Sequence, residues 1–335
     1  MNKKITPKYK TKVLTGIRAT GGLTIGNVLG AVMPVIHLGE LTGMKPLVFV
    51  ADLHALTDHE PNIVKKNIFE VVTDYLALGL DPDKIDIFIQ SDIKAEVFEL
   101  TALLARHITV AELIRVPTLK EKIRSEMSPE TANALLVLYP IMMAADILLQ
   151  RAEFVPVGED QQPHIEMTRL LAKRFNKRYG NVFPLPKPQE VRQLRIISLN
   201  GQGKMSKSTP EGAIFLDDDE STIRAKVKRA QTAFDGQMPE ILVSHFDIAR
   251  GFAKNDEVLK QVEEIYESHM HGNKVMGEFK SLLADIIVDY VMDYQEKKKA
   301  VLTDRKLVDG VLEKGLDLAK KNASETMELV RGVMG

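Results

Sequence analysis

Lys204-Met205-Ser206-Lys207-Ser208 sets two lysines around a serine, directly after a polar run, Asn200-Gly201-Gln202-Gly203, whose glycines make a mobile hinge. Cations on such a loop can close over an anionic leaving group and neutralise it as charge develops, the task posed by a departing pyrophosphate. By itself a loop of this composition is usually just exposed loop. Near the other end of the chain, Gly16, Gly21 and Gly22 lead into Thr24-Ile25-Gly26-Asn27 at the start of a helical pattern. Glycines let backbone approach a phosphate or an adenine ring, and a helix N-terminus offers unpaired N–H groups to anionic oxygen. The spacing is not that of the GxGxxG dinucleotide fingerprint, so a tight strand–helix turn without a ligand stays open. A third position is Asp146, in an otherwise apolar helical run, where Tyr139, Met143 and Asp146 share one face. A carboxylate there needs a partner, which is a bound donor, the backbone or an arginine.

The elements that position these groups follow from the hydrophobic pattern. Apolar runs at Val13–Gly16, Leu47–Ala51, Ile85–Gln90, Phe154–Val157 and Leu194–Leu199 read as buried strands. Between them, Ile25–Leu38, Ile63–Leu78, Glu96–His107, Asn133–Gln150 and His164–Arg178 read as amphipathic helices. This alternation implies an α/β fold with a parallel sheet covered on both faces. After about Leu216 only helical patterns remain, with Leu282, Ile286, Val291 and Tyr294 on one of them. Asp217-Asp218-Asp219-Glu220 ahead of Arg224, Lys226, Lys228 and Arg229 places acid at a helix N-terminus and base beyond it. Arg224 and Lys228 share a face, either an ordinary solvated one or one that meets phosphate.

The pair of motifs is far more specific than either alone. Thr24-Ile25-Gly26-Asn27 after the first strand and KMSKS at 204–208 resemble the HIGH and KMSKS signatures of class I aminoacyl-tRNA synthetases. Tyr139-Pro140-Ile141-Met142-Met143-Ala144-Ala145-Asp146-Ile147-Leu148, Val155-Pro156-Val157-Gly158-Glu159-Asp160-Gln161 and Asp52-Leu53-His54-Ala55-Leu56-Thr57 look like the corresponding segments of tryptophanyl-tRNA synthetases. The likeness covers nearly the whole chain, in detail from Thr15 to the KMSKS loop. It implies a Rossmann-type parallel-sheet catalytic domain with a C-terminal helical domain. Residues 1–12 are then a basic arm, 13–200 the catalytic domain, 201–294 the KMSKS loop and helical anticodon-binding domain, and 295–335 helices that return to the catalytic domain.

For function, the resemblance implies a tryptophan–tRNA ligase: ATP and L-tryptophan form tryptophanyl-adenylate, and the tryptophanyl group passes to tRNA(Trp). Lys204 and Lys207, with Thr24 and Asn27, would be catalytic. ATP would meet Arg18, Ala19, Thr20, Thr24, Gly26, Asn27, Gly158, Glu159, Asp160, Ile196 and residues 204–208, namely Lys204, Met205, Ser206, Lys207 and Ser208, with Mg²⁺ bridging phosphates and no protein-held metal. Tryptophan would meet Asp146, as acceptor of the indole N–H, together with Met143, Tyr139, His54, Val155, Val157 and Gln161. Asp160 also suits a helix cap, and His54 suits a hydrogen-bonded role better than that of a base. Lys122 matches a phosphate-contacting lysine of the family loosely. The chain departs from the family pattern at Arg18-Ala19-Thr20-Gly21, where many members have Gln-Pro-Ser-Gly, and at Leu14, where some have an aromatic residue. A homodimer is implied as well. The alternatives are a tyrosyl-tRNA synthetase, a non-catalytic tRNA-binding paralogue and a nucleotide-binding oxidoreductase.

Composition sets the outer limits. Lys+Arg 45 against Asp+Glu 46 gives a net charge of −1, so a polyanion must be met by a local patch. With Cys 0 there is no disulfide, cysteine nucleophile, cysteine-ligated zinc or iron–sulfur cluster. The longest apolar stretch, Ala134–Ala145, is too short to span a bilayer, and the lysine-rich start lacks an apolar signal core. The expectation is a soluble, cytoplasmic protein with no membrane partner.

Overall fold

Runs of β-branched and aromatic residues form the central strands of a sheet that is covered on both faces. The computed structural model describes residues 7–19, 21–126, 132–158, 161–190, 194–234 and 236–335. Strands β1 (Thr11–Arg18), β2 (Pro46–Ala51), β3 (Asp86–Ile89), β4 (Ala152–Val157) and β5 (Lys187–Glu190) lie in the order β3-β2-β1-β4-β5, all parallel. Every residue of β2 is buried, as parallel strands with helices on both faces require.

After β1 come α1 (Ile25–Asn27), α2 (Met33–Ile36) and α3 (Leu38–Thr42), and after β2 come α4 (Asp52–Ala55) and α5 (Pro61–Ala77). Between β3 and β4 lie α6 (Lys94–Ala105), α7 (Val110–Leu113), α8 (Pro117–Glu126) and α9 (Ala134–Leu149), with α10 (Gln162–Tyr179) after β4. Beyond β5 the described residues form no further strand of the sheet. They form α11 (Glu220–Arg229), α12 (Glu240–Phe252), α13 (Asp256–Met270), α14 (Met276–Thr303) and α15 (Arg305–Met334). The acidic run opens α11 as its pattern suggests: Asp219 is the N-cap and accepts the Thr222 N–H at 2.7 Å.

Two sequence expectations need correction. The helical pattern from Ile25 to Leu38 is not one helix but α1, a π-helical turn at Val28–Val32, and α2. Pro34 has no N–H to continue an α-helical ladder at that point. Leu194–Leu199 is not a strand of the sheet. Its hydrogen bonds run elsewhere: Met205 N–H to Ile196 O (2.8 Å), Ser198 N–H to Gly203 O (2.9 Å), Leu199 N–H to Gly212 O (2.8 Å) and Ile197 N–H to Ser244 Oγ (2.8 Å). The segment is apolar because it is buried under the KMSKS loop.

Two apolar layers flank the sheet. On one face Ile17, Val48 and Val50 pack with α5, and this core continues into α12 and α14 through Phe246 and Phe279, whose rings stack at 4.1 Å. On the other, Leu14, Leu47 and Phe49 pack with α6, α9 and α10, and with Ala319, Ala323 and Met327 of α15. Gly315 lets α15 lie directly on the Ile87 backbone of edge strand β3, where a Cβ would collide with the peptide. Each fully buried Leu or Phe in these layers contributes about 1.5–3 kcal/mol of transfer free energy.

Candidate functional site

The order of the strands reverses between β1 and β4, and at such a switch point the carboxyl ends of the strands leave a crevice. A cavity of about 550 Å³ opens there. This is within the range of small-molecule sites. Its apolar part is formed by Leu14 and Gly16 of β1, Phe49 of β2, Val155 and Val157 of β4, and Met143 and Ile147 of α9. Gly16 is required opposite Phe49: a Cβ would come within 2.6 Å of the ring. Polar groups join this wall in three places.

Asp146 lies behind the wall, only 3% exposed, and does not itself line the cavity. It is held from two sides. Gln90 Nε2 donates to Oδ1 (2.9 Å) and Oδ2 (2.8 Å), and His54 Nε2 is 2.9 Å from Oδ2. Burial pushes the Asp146 carboxyl up, while His54 and Gln90 oppose that shift. His54 is part of the cavity wall. Tyr139, also in the wall, is tied to the start of α8 and to α10. Thr118 Oγ1 is 2.9 Å from the Tyr139 hydroxyl and 2.6 Å from His164 Nε2. Burial raises the Tyr139 pKa, with Thr118 opposing.

The cationic end is built from the two motifs together. Thr24 caps α1, its Oγ1 accepting the Asn27 N–H (3.2 Å) while Asn27 Oδ1 accepts the Thr24 N–H (3.1 Å). Thr24 is fully buried, whereas Asn27 faces the cavity. Met205 is buried against Gly26, where a Cβ would lie 3.1 Å from Met205 Cβ. The glycine thus seats the KMSKS loop on the helix N-terminus. Lys207 reaches over the glycine loop, its Nζ donating to Gly21 O, and lines the cavity. Desolvation lowers the Lys207 pKa, and the nearby carboxylates Glu70 and Asp74 oppose this. Arg18, at the carboxyl end of β1, lines the cavity and pairs with Asp58 at 2.6 Å.

The cavity therefore brings together Arg18, Asn27, His54, Tyr139, Met143, Val155, Val157, Gly158, Gln161 and Lys207. Ala19, Thr24, Gly26, Ile196, Met205 and Asp146 are buried around it, and Lys204, Ser206 and Ser208 lie on the loop outside its wall. Thr20, Glu159 and Asp160 fall outside the described residues, as do the side chain of Lys122 and residues 1–6 of the basic arm. Sequence reasoning missed Gln90, Thr118, His164 and Asp58. Gln90 left a usable signal, a polar residue closing an apolar strand run at the carboxyl end of the sheet. Among the described residues no group of three or more His, Asp or Glu is placed to hold a metal ion, and no helix is long and apolar enough to cross a membrane.

Relatives carry the same architecture. The family described as tRNA synthetases class I (W and Y) matches residues 6–308. A tryptophan–tRNA ligase of Chlamydia caviae is 35% identical over 97% of this chain and 96% of its own length. One of Porphyromonas gingivalis is 36% identical over 96% and 98%. Among solved structures, tryptophanyl-tRNA synthetase of Campylobacter jejuni complexed with ADP and tryptophan superposes with a TM-score of 0.81 at 30% identity, covering 97% of this chain and 99% of that one. The Mycoplasma pneumoniae enzyme superposes with a TM-score of 0.80 at 31% identity, covering 97% and 98%. The chain belongs to the class I tRNA synthetases, in the group of tryptophan–tRNA ligases.

Proposed function

We propose that the cavity at the β1/β4 switch point holds L-tryptophan in its apolar part and ATP at its cationic end, and joins them to tryptophanyl-adenylate. The tryptophan carboxylate attacks the α-phosphorus, the bond to the β-phosphate oxygen breaks, and pyrophosphate leaves. No protein nucleophile is needed, so the protein's contribution is positioning and charge stabilisation. The observation that carries this reading is one continuous cavity that joins an apolar wall backed by Asp146 to the polar groups Lys207, Asn27 and Arg18.

In this reading Lys207, with Lys204 brought in by closure of the glycine-hinged loop, neutralises charge developing on the pyrophosphate. Arg18 leaves Asp58 for a substrate oxygen. Val155, Val157, Met143 and Tyr139 clasp the ring, His54, backed by Asp146, reads its N–H, and Gln161 and Gly158 meet the amino-acid end. Thr24, Gly26, Asn27 and Ile196 shape the ATP subsite. Mg²⁺ belongs to this reading as the partner of the ATP phosphates; the described protein groups do not offer it a cage. The second step passes the tryptophanyl group to the terminal adenosine of tRNA(Trp), whose anticodon meets the helical region after residue 200. Homodimerisation, a division near residue 200 and a cytoplasmic location complete the proposal. Incubating the protein with ATP, radiolabelled tryptophan and tRNA(Trp) should move label into acid-precipitable RNA; label that stays soluble while other amino acids are transferred would overturn the reading.

A further inference from the structure

Gln90 is fully buried where β3 ends, and its two polar ends face different partners. Its Oε1 accepts the backbone N–H of Leu53 in α4 at 3.2 Å. That N–H leaves the amide one orientation, because a flipped side chain would set donor against donor. The Nε2 end is therefore committed to Asp146, where it donates to both carboxylate oxygens at 2.9 and 2.8 Å. With a donor on each oxygen, the carboxylate has no good place for a proton on that side. The titratable groups that bear on Asp146 are His54, bonded to it, and Asp52, which repels its charge. Asp52 is in turn engaged by the Ser91 N–H at 3.0 Å, next to Gln90. The ends of β2 and β3 are thus cross-tied around one buried carboxylate.

We propose that Gln90 is a positioning residue for amino-acid selection: clamped by the Leu53 backbone, it holds Asp146 as an acceptor-only carboxylate behind His54, and so sets the preference for a ring that carries an N–H. This rests on the reading of the cavity as a tryptophan site. Without the clamp, a buried carboxylate relaxes towards its neutral form, which offers a donor where an acceptor is needed. Glutamate at position 90 keeps the shape but turns an oxygen towards Asp146, so the pair needs a shared proton.

The test uses pyrophosphate exchange by the intact enzyme with two substrates, tryptophan and its benzothienyl isostere, in which sulfur replaces the ring N–H. In Gln90→Met, kcat/KM for tryptophan should fall about ten- to a hundredfold, the scale of a buried charged hydrogen bond. The KM for ATP should hold, and the preference for tryptophan over the isostere should collapse. Gln90→Glu should show a loss that deepens as pH rises from about 6 to 8, as the shared proton is lost. It also carries the test if the methionine variant proves unstable. A preference over the isostere that survives in both variants would overturn the proposal, as would equal losses for tryptophan and ATP with no pH dependence. Wild-type enzyme that exchanges with no tryptophan at all would instead remove the tryptophan reading itself.

Discussion

Asp146→Asn removes a charge and almost no volume, so its effect can be worked from the hydrogen bonds alone. The native carboxylate receives Gln90 Nε2 on both oxygens, at 2.9 and 2.8 Å, and His54 Nε2 on Oδ2 at 2.9 Å. An asparagine has one acceptor oxygen and one NH₂ group. Because Gln90 addresses both positions, either rotamer sets an NH₂ against the Gln90 donor, whereas His54 can change tautomer and accept. The His54 that faces the cavity then loses its charged partner, about 1.5–3 kcal/mol, and the pair that the new amide forms with His54 no longer carries a fixed polarity. The expected result is a ten- to hundredfold fall in kcat/KM for tryptophan, with the KM for ATP within about twofold of wild type. Steady-state pyrophosphate exchange with each substrate varied in turn measures both. Tryptophan kinetics equal to wild type would refute the reasoning, because Asp146 would then be a structural carboxylate with no voice in selection.

Lys207→Ala removes the cation that reaches the glycine loop and should lower kcat of exchange by about a hundredfold while sparing the KM for tryptophan; rapid-quench adenylate formation checks this. Lys228→Glu on α11 should weaken tRNA charging and leave adenylate formation unchanged, and equal loss of both would mark misfolding. His245 is buried in α12 with neither ring nitrogen hydrogen-bonded, and burial, with Lys280 adding to it, lowers its pKa from 6.5 to about 4. The unfolded chain therefore binds this proton first. The stabilisation is complete above about pH 6.5 and is lost as pH falls towards 4, by up to about 3 kcal/mol. Urea denaturation across that range should show the fall, and His245→Phe should flatten this part of it.

What the sequence discloses depends on whether a signal is local. β1 to β4 are legible because each holds a short apolar run, buried throughout in β2 and at its centre or on alternate residues in the others. β5 is not, since Lys187-Pro188-Gln189-Glu190 is a polar edge strand with a proline, which carries no apolar signature. The apolar run at Leu194–Leu199 misleads for the complementary reason: apolarity reports burial, not hydrogen-bond partners, and those lie in the KMSKS loop and its flanks and in α12. In the site, Asp146 stands out as a carboxylate in an apolar helix, and the two motifs announce the cationic end. Thr118 and His164 are silent because their partners lie 21 and 46 residues away along the chain, and Gln90 shows only as a polar residue closing an apolar run, its partner being 56 residues away. Arg18 was visible as a departure from the family pattern, but its pairing with Asp58 is a property of the folded loop.

The most direct measurement is pyrophosphate exchange into ATP without tRNA, run with each amino acid separately. Exchange supported by tryptophan alone is the expected result, and ties the apolar slot and the Lys207 end to one reaction. Exchange supported by tyrosine instead of tryptophan, or by no amino acid, would contradict it.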